Sequence, residues 1–74
     1  MTETLRELFD SKEAHAERVA ESIDVSRATV YHWLQGRRKV HRWHLDPLAK
    51  ALRTTDLRIS DASAESVRRY RKSS

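Results

Sequence analysis

Gly36 is the only glycine and Pro47 the only proline in this 74-residue chain, which therefore has almost nothing with which to break a helix. Apolar residues spaced i, i+3, i+4 then read as successive amphipathic helices. Leu5, Leu8 and Phe9 mark the first, over about residues 3–12. Thr4 with Glu7 three residues later forms a capping box for it, and Thr2 is an equally good cap. Val19, Ala20 and Ile23 mark a second helix over about 15–22. Ser26 caps a third that begins at Arg27 and turns Val30, Trp33 and Leu34 inward, with Gly36 as its left-handed C-terminal cap. Leu45, Leu48, Ala49 and Leu52 predict a fourth helix from Trp43 or His44 to about Arg53, with Pro47 in its first turn.

Residues 54–74 are poorer in apolar groups. Leu57 and Ile59 alternate like a short strand, whereas Ala64, Val67 and Tyr70 line a weak final helix. The expected fold is all-α, a compact domain of four or five helices. Residues 1–54 form the main domain and 55–74 a C-terminal extension, either a short strand or a helix, serving as a dimerisation element or a basic tail.

A chain of this length buries only about 60% of the surface its unfolded form exposes, so it gains from a partner. With no cysteine, disulfides and thiolate zinc sites are excluded. No apolar run approaches the ~18–20 residues of a membrane span, and MTETLRELFDSKE has neither the charged start nor the apolar core of a signal peptide. The expectation is a soluble, cytoplasmic protein.

The formal net charge of +4 conceals a strong asymmetry. Residues 1–25 carry three basic and seven acidic side chains, and residues 26–74 carry twelve basic and four acidic. From Ser26 to Leu45 there are five cations (Arg27, Arg37, Arg38, Lys39 and Arg42) and no acid. Such a stretch suits a polyanion, because it displaces condensed counterions without repelling phosphates. The acids of the first two helices are expected to keep their own surface soluble and away from that partner.

The second and third helices meet the constraints of two short helices joined by a tight turn. Steep crossing needs a small residue at closest approach, which Ala20 supplies. The turn needs a residue tolerant of positive φ, a place held by Asp24. Val25 plugs the gap between the helices. With Val30, Trp33 and Leu34 inward, helical geometry turns Arg27, Ala28, Tyr31, His32 and Gln35 outward. A recognition helix sets such residues against base edges in the major groove. Arg27 suits guanine O6 and N7, Ala28 a thymine methyl, and His32 and Gln35 bases or phosphates.

The run AERVAESIDVSRATVYHWLQGRRKV, followed by LDPLAKAL, resembles the Cro/CI (lambda repressor-like) type of helix-turn-helix. The resemblance covers about residues 3–53 and is most specific at 16–36. It implies that Arg27, Ala28 and His32 read bases, that Thr29 touches phosphate, and that Arg37, Arg38 and Lys39 run beside the backbone. Ser26 and Arg42 complete the expected phosphate set. Two positions depart from the family pattern: Ala16 stands where glutamine is frequent, and Asp24 where the turn usually has glycine.

The resemblance implies a repressor bound to a pseudo-palindromic double-stranded operator as a homodimer, formed in solution or only on DNA. No cofactor, metal or small-molecule ligand is expected. The competing readings are an excisionase-like architectural factor, which adds a β-wing after the reading helix, and an antitoxin-like module with a protein partner. His41 and His44 stand three apart, but His15 and His32 lie on other segments and no cysteine is available to complete a metal set. No cysteine nucleophile, phosphate-cradling glycine loop or carboxylate pair near a histidine suggests an enzyme. Trp43 reads as an apolar filler beneath the fourth helix or a dimer contact.

Overall fold

Thr4 starts the first helix of the computed structural model, which describes residues 2–73. Its hydroxyl accepts from the Glu7 N–H at 3.1 Å and the Glu7 carboxylate accepts from the Thr4 N–H at 2.8 Å, so the capping box forms on Thr4. The elements are α1 (Leu5–Ser11), α2 (Ala16–Ser22), α3 (Arg27–Gln35), α4 (Arg42–Ala51) and α5 (Asp56–Ser73). The fold is all-helical, with no strand among the described residues. None of these helices is long and apolar enough to cross a membrane.

One core joins all five helices. Leu5, Leu8 and Phe9 meet Val19 and Ala20, Val30 and Trp33, Leu48 and Leu52, and Ile59 and Ala62. α5 packs against α1, α3 and α4. Its buried stripe is Ile59, Ala62, Ser63 and Ser66, at i, i+3, i+4 and i+7. The two serines point at backbone donors. Ser66 Oγ accepts from the Leu5 N–H at 2.8 Å, an otherwise orphaned donor in the first turn of α1. Ser63 Oγ accepts from the Val40 N–H at 2.8 Å in the α3–α4 loop. Arg58 adds an ion pair to Glu3, with nitrogen–oxygen distances of 3.0 and 3.3 Å.

Four helices end in the same way. Glu13 (φ 53°), Asp24 (φ 59°), Gly36 (φ 82°) and Arg53 (φ 55°) are left-handed. In each case the next residue donates to the carbonyl five positions back, Ala14 to Phe9, Val25 to Ala20, Arg37 to His32 and Thr54 to Ala49, at 2.9–3.0 Å.

Three expectations are corrected. Leu57 and Ile59 lie on α5 and not on a strand: Ile59 is buried, while Leu57 is 70% exposed. Pro47 is the sixth residue of α4, because the helix begins at Arg42. It therefore offers no N–H to the Trp43 carbonyl, a bond the helix would otherwise make. Trp43 does not fill space beneath α4. It is 67% exposed, and its ring lies over that of His41 with centroids 3.6 Å apart.

Candidate nucleic-acid interface

The geometry of α2 and α3 is set by small and buried residues. Ala16 and Ala20 are buried on α2, which leaves room for α3 to pack closely. Ile23, Asp24 and Val25 make the turn, and Asp24 takes the positive φ that its short polar side chain tolerates. Val25 is half-buried against the core. Ser26 then caps α3, its hydroxyl accepting from the Thr29 N–H at 3.2 Å. Val30 and Trp33 are buried and Leu34 packs on the core beside them.

That packing leaves the opposite side of α3 open. Arg27, Ala28 and Gln35 are exposed, Tyr31 is 37% exposed, and His32 and Thr29 are half-buried. The Ser26 and Thr29 hydroxyl oxygens lie 2.8 Å apart. One proton serves that bond, and the other hydroxyl hydrogen is free to donate outward. After Gly36 the chain presents Arg37, Arg38 and Lys39, all exposed, and Arg42 is exposed at the start of α4.

Charge pairing separates these cations from four others. Arg58 pairs with Glu3, Lys50 with Asp46, and Arg68 and Arg69 with Glu65. The two guanidinium groups hold the Glu65 carboxyl down to about 2. No carboxylate among the described residues pairs with Arg27, Arg37, Arg38, Lys39 or Arg42. Unpaired cations of this kind are available to phosphates without first breaking an ion pair.

One acid does approach this face. Tyr31 Oη donates to Glu17 Oε1 at 2.6 Å, bridging the outward side of α3 to the first turn of α2. Accepting this bond holds the Glu17 carboxyl below its ordinary range, and the nearby Arg27 charge adds to the effect. The same bond raises the Tyr31 phenol. Sequence reasoning placed Glu17 with the acids that stay clear of the interface. The contact joins residues 14 apart, and no local spacing signals it. Elsewhere, no group of three or more His, Cys, Asp or Glu side chains among the described residues is arranged to hold a metal ion.

Two short packed helices with small buried residues on the first, a left-handed turn between them and an open basic face define a helix-turn-helix protein, a DNA-binding class. The chain belongs to the helix-turn-helix domain family, whose model matches residues 1–61. No curated protein and no solved structure matches it.

Proposed function

We propose that the chain is a sequence-specific repressor of the Cro type that sets α3 in the major groove of a double-stranded operator. The observation that carries this reading is the open side of α3 beside five unpaired cations, Arg27, Arg37, Arg38, Lys39 and Arg42. Arg27, Ala28, Tyr31, His32 and Gln35 read base edges. Ser26, Thr29, Arg37, Arg38, Lys39 and Arg42 hold the backbone and fix the register of α3. The placement of α4 directly after the basic loop favours a repressor over an excisionase-like factor, which would carry a wing there.

One reading helix spans only a few base pairs, so discrimination calls for two copies on a pseudo-palindromic site, with half-sites about one helical turn apart. The protein then acts as a homodimer in the bacterial cytoplasm, on the nucleoid or in a phage-infected cell, and represses by covering the promoter. Selection of bound duplexes from a random pool tests this. The expected logo has two inverted half-sites about 10 base pairs apart, with a guanine in each assigned to Arg27. A flat logo contradicts sequence-specific reading, and a single asymmetric site contradicts the dimer.

A further inference from the structure

Glu17 is an acid on the face that, in the proposed reading, meets a polyanion. Tyr31 Oη, one turn beyond Arg27 on α3, fixes its Oε1 at 2.6 Å. Arg27 lies near enough to stabilise the carboxylate, yet makes no ion pair with it. His15 also bears on the Glu17 carboxylate. We propose that Glu17, held by Tyr31, is a specificity-determining residue of the DNA interface, suppressing attachment to non-cognate duplex. The inference rests on α3 being the reading helix.

Two effects act together. A carboxylate at the interface repels the phosphates of any duplex and lowers the number of counterions that binding releases. It also competes for Arg27. On a random duplex, Arg27 has only phosphates to bind, and the Glu17 carboxylate repels those anions and offsets much of that gain. On a cognate site, Arg27 makes a two-point hydrogen bond to O6 and N7 of a guanine, a neutral base that the carboxylate repels far less than a phosphate. The penalty therefore falls more heavily on the wrong sequence, and discrimination is gained by rejecting it.

The test compares the unaltered protein and Glu17→Gln on two duplexes of equal length. One is the site recovered by selection and the other has a random sequence. Glu17 is exposed, so the glutamine variant keeps the fold, as a circular dichroism spectrum verifies. Glu17→Gln is expected to tighten random-duplex binding about tenfold and selected-site binding about threefold or less, with a salt dependence on random duplex steeper by about one unit. Unchanged or weaker random-duplex binding by Glu17→Gln overturns the proposal, as does an equal gain on both duplexes. If the unaltered protein itself does not distinguish the two duplexes, the reading role of α3 fails first and this inference falls with it.

Discussion

Gly36 shows how much one position can carry. Its φ of 82° demands what glycine gives freely, yet Glu13, Asp24 and Arg53 adopt similar angles with side chains attached. The difference is α5: a Cβ on Gly36 would overlap the Ser66 carbonyl and press on Tyr70. At the other three sites only the left-handed penalty applies, roughly 1 kcal/mol each. Gly36→Ala is accordingly expected to cost about 2–4 kcal/mol in urea unfolding, well beyond that penalty. A loss below about 1 kcal/mol would mean that α5 yields to the methyl group. The need for a left-handed cap was legible in the sequence, because Gly36 follows an apolar stripe. The approach of α5 was not, since it depends on a residue thirty positions away.

α5 is the element the sequence pattern described least well. A helix is recognised by its apolar stripe, and here half of that stripe is serine. Ser63 and Ser66 are buried because each satisfies a backbone N–H that the fold has taken from water, in the α3–α4 loop and at the start of α1. Ser66→Ala and Ser63→Ala are each expected to lower stability by about 1–3 kcal/mol in urea unfolding, because each strands a buried donor. A change within a few tenths of a kcal/mol would show that water replaces the hydroxyl. The last turns of α5 add an acid-sensitive contact. Arg68 and Arg69 hold the Glu65 carboxyl at about 2, below the ordinary 4.5 of a free glutamate. Protonation is thus disfavoured in the folded state, and the contribution is complete above about 4.5 and lost as pH falls towards 2. Glu65→Gln is expected to reduce the acid-induced fall in unfolding midpoint between pH 5 and 2. An unaltered acid profile would remove Glu65 from that transition.

Across the whole molecule, charge and packing divide the surface. Acids of the N-terminal third and of α5 neutralise Arg58, Arg68 and Arg69, while the cations between Ser26 and Leu45 remain unpaired among the described residues. The outward set on α3 followed from placing Val30 and Trp33 in the core, a periodicity that sequence displays directly. Glu17 was hidden because a tertiary hydrogen bond, and not its own helix, brings it to that face. The central claim is that α3 reads bases through its outward side, and Arg27 tests it most directly. Binding of Arg27→Ala to the selected site and to a random duplex of equal length should show a loss of about 1–3 kcal/mol on the first and a much smaller loss on the second, with tolerance relaxed at one base position. Equal losses on both duplexes would contradict base reading by α3.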